Sequence, residues 1–186
     1  MNDTITLDPQ DAHGEVLSAD TVRLQRLLPG PIERVWRYLT EPQLRAQWMA
    51  GGPMELRPGG AIEFVFHNNS LTTPDDPPPP AYAPYAGEHR MRSRVLACEP
   101  PRLLAYTWDE SQEHPSEVRM ELTPQGSQVL LVVTHQRLRS RDGMLSVSAG
   151  WHTHLAVLRA ALEGRRMEGF WRTFSRLHAD YDARLG

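Results

Sequence analysis

Apolar side chains recur at every second position through most of this chain and at every third and fourth position near its end, and the change of period divides it into elements. From Thr21 to Leu28 the alternation Val22, Leu24, Arg26, Leu28 predicts a strand, closed by Pro29-Gly30-Pro31. Pro31 suits a helix start, and "PIERVWRYLTEP" sets Ile32, Val35, Trp36 and Leu39 on one face before Pro42 ends the run. A second short helix is expected in "PQLRAQWMAGG". "MELRPGGAIEFVF" then reads as two strands joined at Arg57–Gly60, with Ile62, Phe64 and Phe66 on one side and Glu63, Val65 and His67 on the other. Further strands are predicted in "GEHRMRSRVLACE", "RLLAYTW", "SEVRMELTPQ" and "SQVLLVVTHQ". That makes seven, all antiparallel, because the connections are too short for parallel crossovers.

The last periodic stretches are helical. Met144, Val147, Trp151, Leu155, Leu158 and Leu162 form one broad apolar stripe that ends at Gly164, and Phe170, Phe174, Leu177 and Tyr181 repeat the spacing in a shorter helix. A sheet with one apolar face must cover that face, and the helix around Trp151–Leu162 is the element long and apolar enough to do so. Curling the sheet round this helix leaves an interior, and whether it is filled or hollow decides the function. Between two of the strands lies "HNNSLTTPDDPPPPAYAPYAGEH", whose four consecutive prolines allow only an extended loop. It reads as a plain surface insertion or as a lid with Tyr82 and Tyr85 folding over an opening.

Composition narrows the classes. The 186 residues carry a formal net charge of -3, the 20 basic residues are all Arg, and 40% are hydrophobic, which fits one domain with a single core. Clusters such as Arg90-Met91-Arg92-Ser93-Arg94 resemble a nucleic-acid surface, but the 23 acids outnumber the bases, and alternate Arg positions are what a solvated sheet face looks like. No nucleic-acid partner is expected. The apolar runs stop far short of the roughly 18 residues of a membrane span, and "MNDTITLDPQDAHG" shows neither a secretory nor a transit pattern, so a cytoplasmic address is expected. Cys98, alone, reads as a small buried hydrophobe and excludes an internal disulfide.

The segments "LPGPIERVWRYLTEPQLRAQWMAGGPMELRPGG", "EPPRLLAYTW", "SEVRMELTPQGSQVLLVVTH" and "AGWHTHLAVLRAALEG", in that order, resemble the SRPBCC superfamily, also called START or birch-pollen-allergen-like. Within it they are similar to the branch of homologues of the activator of heat-shock-protein-90 ATPase. The resemblance covers about residues 20–185. It implies an α+β helix-grip fold: a seven-stranded curved antiparallel sheet wrapped around a long C-terminal helix, with two short helices after the first strand and a hydrophobic cavity between sheet and helix. Residues 1–18 then read as a flexible lead-in and 19–186 as one domain, with a proline-rich insertion at 68–86 and a helical extension at 168–185.

"GWHTHL" places two histidines beside a tryptophan. On a helix, neighbours two apart diverge by about 200°, so His152 and His154 cannot share one metal, and no metal site or cofactor is expected. His152 is expected at the surface. His154 can face the cavity and meet His135 there, or it can hydrogen-bond a backbone carbonyl. No G-x-S-x-G, G-x-G-x-x-G or G-K-[ST] pattern occurs, and Glu99, Asp109 and Glu110 read as solvated strand-end acids, so no catalytic residue is assigned. The first reading is a non-enzymatic protein that encloses a lipophilic small molecule. Trp36, Phe64, Phe66, Met91 and Tyr106 would form one part of the wall, Trp108, Met120, Trp151, Leu155 and Leu158 the other, and His135 and His154 would orient the ligand. Two alternatives stand beside it: the resemblance implies the enzyme and the chaperone partner, and the aromatic residues of the C-terminal helix suggest the homodimer. One is a cyclase-like or hydrolytic enzyme using His135, His154 or Tyr106 as acid or base. The other is a module in the stress response that binds a chaperone, or a homodimer formed through the C-terminal helix, where Phe170, Trp171 and Phe174 would offer exposed aromatic surface.

Overall fold

The computed structural model describes residues 12–185. Its strands are β1 (Glu15–Ser18), β2 (Thr21–Pro29), β3 (Ala50–Gly51), β4 (Ala61–His67), β5 (Glu88–Glu99), β6 (Leu103–Trp108), β7 (Ser116–Gln125) and β8 (Gln128–Gln136). The helices are α1 (Ile32–Thr40), α2 (Pro42–Arg45), α3 (Arg141–Leu162) and α4 (Phe170–Arg184). The strands form one curved antiparallel sheet in the order β1-β2-β8-β7-β6-β5-β4-β3, in which the first long strand pairs with the last and the chain between them fills the rest. Strict alternation produces this sheet: Val22, Leu24 and Leu28 of β2, Val118, Met120 and Leu122 of β7, and Val129, Leu131 and Val133 of β8 are all buried on the face that α3 covers.

The sheet has eight strands, not seven. β1 adds an edge beside β2, with Val16 opposite Val22, inside the stretch read as a loose lead-in, whose residues 1–11 lie outside the described residues. The strand expected at "MELR" is reduced to a single bridge between Met54 and Ile62, and the short β3 pairs with β4 instead. Gly52 explains the break: its φ is +91°, and a Cβ there would collide with the Glu63 carbonyl, so the chain turns out of the ladder just before Pro53.

Helix α3 starts at Ser140, whose hydroxyl accepts a hydrogen bond from the Gly143 amide at 3.0 Å. It is buried on two faces, because the sheet covers the predicted stripe and α4 packs along another side. That second face corrects two expectations. His152 is buried rather than superficial, with Nδ1 3.1 Å from the Tyr181 hydroxyl of α4. Phe170, Trp171 and Phe174 are buried within the same chain and present no aromatic surface. Cys98 is half-buried, and burial raises its thiol pKa. No helix among the described residues is long and apolar enough to cross a membrane.

Arg45 is the largest departure from a simple apolar interior. It is 1% exposed, and each of its five N–H donors has an acceptor: the carbonyls of Thr40, Ala50, Gly51 and Gly52, and the Met54 sulfur. Burial pulls its pKa down to about 10, and the guanidinium lies 5.2 Å from the centre of the Phe64 ring. Arg45 therefore ties the irregular segment after α2 to the wall of the core.

Candidate functional site

A partly open cavity of about 330 Å³ lies between α3 and the β4–β6 part of the sheet. The sheet contributes Phe66, His89, Met91 and Trp108, with Asp109 just beyond β6. Across from them α3 contributes Ser146, Val147, Gly150, Trp151 and His154, and Met49 adds a thioether. The loop from 68 to 87 supplies Asn68, Tyr82 and Tyr85, and the start of α4 supplies Phe170, Trp171 and Phe174. The rings meet edge to face or tilted, with Trp108 5.5 Å from Trp151 and Tyr82 4.6 Å from Phe174. The volume lies at the lower end of the ~300–1,000 Å³ usual for small-molecule pockets.

Five of the twelve residues assigned to the cavity line it: Phe66, Met91, Trp108, Trp151 and His154. The other seven do not. Trp36, Phe64, Tyr106, Met120, His135, Leu155 and Leu158 are buried in packed core around and behind the cavity, where sheet and helix interdigitate. Alternation identifies the inward face of a strand, but not where along that face the packing opens. Asp109, read as a solvated acid, stands on the wall. Tyr82 and Tyr85, the lid candidates, line it as well. Gly150 also lines the cavity, and its signal in the sequence was a glycine in mid-helix, which costs about 1 kcal/mol relative to alanine. Here a Cβ at Gly150 would meet open space.

His135 and His154 are held separately, each in a defined neutral form. Trp151 Nε1–H donates to His135 Nδ1 at 3.0 Å, so the proton of His135 sits on Nε2, 2.7 Å from the Ser116 hydroxyl. Burial lowers its pKa to about 3. His154 Nδ1–H donates to the Trp48 carbonyl at 2.7 Å, which leaves Nε2 as an acceptor, and its ring lies 4.9 Å from Phe170. Burial lowers its pKa to about 4, against the opposing effect of the Trp48 carbonyl. His154 is half-buried and borders the cavity, whereas His135 is fully buried. The Tyr106 hydroxyl is enclosed without a hydrogen-bond partner among the described residues, and burial holds its pKa above the usual phenol value. No group of three or more His, Cys, Asp or Glu among the described residues is arranged to hold a metal ion.

A latch between the proline-rich loop and α4 borders the cavity. Gly169 precedes α4 with no side chain to cap it, and the loop provides the cap in its place. The Thr72 hydroxyl accepts from the Phe170 amide at 2.8 Å, and the Asp75 carboxylate accepts from the Trp171 amide at 3.0 Å. Trp171 Nε1–H donates to Asn69 Oδ1 at 2.8 Å, and the hydroxyls of Tyr82 and Ser146 lie 2.6 Å apart. Contrary to the expectation from its prolines, the loop is not extended throughout: short 3-10 helices at Asn68–Ser70 and Pro80–Tyr85 flank an extended stretch that includes Pro77–Pro79, and together they carry the chain from β4 to α4 and back to β5.

A curved antiparallel sheet gripping a C-terminal helix over an aromatic cavity defines a helix-grip domain of the SRPBCC type. The family model described as Activator of Hsp90 ATPase homolog 1-like protein matches residues 29–163, and the chain belongs to that family. The solution structure of the protein encoded by gene BPP1335 from Bordetella parapertussis is similar at 47% identity, covering 95% of this chain and 92% of that one, with a TM-score of 0.78. CalU16 from Micromonospora echinospora shares the fold at 21% identity, with 88% and 86% coverage and a TM-score of 0.65. DynU16, a protein of the dynemicin biosynthetic locus, does so at 21% identity, covering 82% of this chain and 51% of that one, with a TM-score of 0.63. No curated protein matches the chain.

Proposed function

We propose that this protein is a cytoplasmic, non-enzymatic container that encloses one lipophilic small molecule between β4–β6 and α3, with the loop from 68 to 87 acting as its lid. The observation that carries the reading is the cavity itself: three tryptophans, three phenylalanines and two methionines face a space of about 330 Å³ between sheet and helix. Transfer of apolar surface from water, at roughly 25 cal/mol per Å², drives such binding. The reading is tested by native mass spectrometry of freshly purified protein followed by solvent extraction. One small molecule per chain, released by solvent and absent from Trp151→Ala, is expected. Bare protein that takes up no neutral aromatic compound would contradict it.

A cyclase-like activity is the second reading, and likeness to a protein of a biosynthetic locus is what favours it. Against it, burial lowers the pKa of His135 to about 3 and that of His154, at the cavity wall, to about 4, both below the range near neutrality that suits an acid/base catalyst. Turnover of a hydrophobic substrate that is lost in His154→Ala would reinstate it. A chaperone partner or a homodimer through α4 has less to build on, since the aromatic side chains it would use are buried.

A further inference from the structure

A second cavity, of about 460 Å³, lies between the end of α2, residues 70–73 of the loop, the last turns of α3 and the linker to α4. It shares no lining residue with the first. Leu71, Val157, Ala161 and Met167 give it an apolar side, and Gln47, Thr73, Arg165 and Arg166 give it a polar one. Gly164, at φ +69°, ends α3 and turns the chain into the linker that brings the two arginines to the wall. The carbonyls at that helix end, which would repel an anion, are occupied: those of Ala160, Ala161 and Leu162 accept from the Arg165 amide, the Gly164 amide and Arg34 Nη2.

The wall holds two arginines and no carboxylate, in a chain whose 23 acids outnumber its 20 bases. Elsewhere an exposed arginine commonly meets an acid, as Arg37 meets Glu41, Arg94 meets Glu110 and Arg172 meets Asp76. Arg166 is exposed and has no hydrogen-bond or ion-pair partner among the described residues. Arg165 shares Glu163 with Arg159, and only its Nη2 is engaged, so most of its N–H groups remain available. The other acids nearby are committed. Asp75 takes the Thr72 hydroxyl and the Trp171 amide, Asp76 holds Arg172, and Glu168 lies within electrostatic reach of Arg172. Among the hydroxyls in the wall, Ser70 donates to the His67 carbonyl and Thr72 to Asp75, which leaves that of Thr73 free to donate.

We infer that this second cavity binds a phosphate monoester, its anion held by Arg165, Arg166 and the Thr73 hydroxyl and its organic part laid against Leu71, Val157, Ala161 and Met167. The inference is independent of the container reading. A phosphate monoester carries close to two negative charges and three acceptor oxygens near neutral pH, and the guanidinium fork matches that geometry. The donors come from three separate segments, Gln47 after α2, Thr73 in the loop and the arginines in the linker, so they suit a tetrahedral group better than a flat carboxylate with two oxygens. The volume lies within the ~300–1,000 Å³ usual for organic ligands, and the apolar side gives the ester's body a surface that a bare phosphate ion would leave uncovered.

The test titrates the full chain near neutral pH with phenyl phosphate, inorganic phosphate, benzoate and vesicles containing phosphatidic acid, by calorimetry. Three proteins are compared: wild type, the double variant Arg165→Ala/Arg166→Ala, and Gly150→Leu, which fills the first cavity. Both arginines are exposed, so the double variant keeps its core. Phenyl phosphate is expected to bind saturably, to lose at least about tenfold in the double variant and to be unchanged in Gly150→Leu. Inorganic phosphate and benzoate should bind more weakly. Tighter binding to phosphatidic acid vesicles than to phenyl phosphate, lost in the same double variant and absent with phosphatidylglycerol vesicles of equal charge, would support the site and assign its phosphate to a lipid headgroup. Failure of both esters to bind, equal affinity in wild type and double variant, or benzoate or inorganic phosphate binding as tightly as phenyl phosphate would overturn the inference and leave the container reading standing.

Discussion

Replacing His135 with Gln removes a titrating group from the core while keeping an oxygen that can accept the Trp151 indole N–H. In the wild type that N–H points at Nδ1, so protonating His135 would set two N–H groups against each other in a fully buried site. The folded-state pKa is accordingly about 3, against about 6.5 in the unfolded chain. The sign follows from which state binds protons: between those values the unfolded chain takes up a proton that the folded chain refuses. Stability is thus complete above about pH 6.5 and declines as pH falls toward about 3. Each unit is worth about 1.4 kcal/mol, so His135 alone should remove about 3 kcal/mol between pH 7.5 and roughly pH 4.5. His154 acts in the same direction, but it is present in both proteins and cancels. Urea denaturation of wild type and His135→Gln at the two pH values measures the difference. The wild type should lose about 3 kcal/mol more than the variant on acidification; equal losses would refute the claim that His135 is held neutral by its surroundings.

Trp151→Ala should cost about 3–5 kcal/mol in chemical denaturation and abolish uptake of neutral aromatics, because the indole both fills core and forms a cavity wall; unchanged melting and binding would contradict this. Asp75→Ala should lower stability by about 1 kcal/mol and speed amide exchange at Trp171 and the first turn of α4, the turn that its carboxylate caps. Protection unchanged there would remove the latch. Arg45→Met leaves four buried carbonyls without their donors and should cost at least about 3 kcal/mol; Arg45→Lys should recover only part of it, since an ammonium has three donors for those sites.

Alternation carried most of the fold. In β2 and β4 every side chain that alternation set on the apolar side is buried, Arg26 included, and the stripe on α3 meets the sheet as its spacing requires. What alternation leaves out is depth. Trp36, Phe64 and Tyr106 look the same in the sequence as Phe66 and Trp108, yet only the latter pair borders empty space, because that depends on how sheet and helix diverge near β4–β6. Long-range partners were equally hidden. His152 is buried because Tyr181, 29 residues on, bonds to it, and α4 is capped by Thr72 and Asp75 from nearly 100 residues away. Local propensity at Gly169 gives no hint of either.

The most direct test of the container is to fill it. Gly150 borders the cavity from within α3, and a side chain added there meets open space rather than packed atoms. Gly150→Leu should therefore fold with a melting temperature equal to or above that of the wild type, helped by the better helix propensity, and bind 1-naphthol at least tenfold more weakly. Wild-type affinity in a well-folded Gly150→Leu would contradict the account.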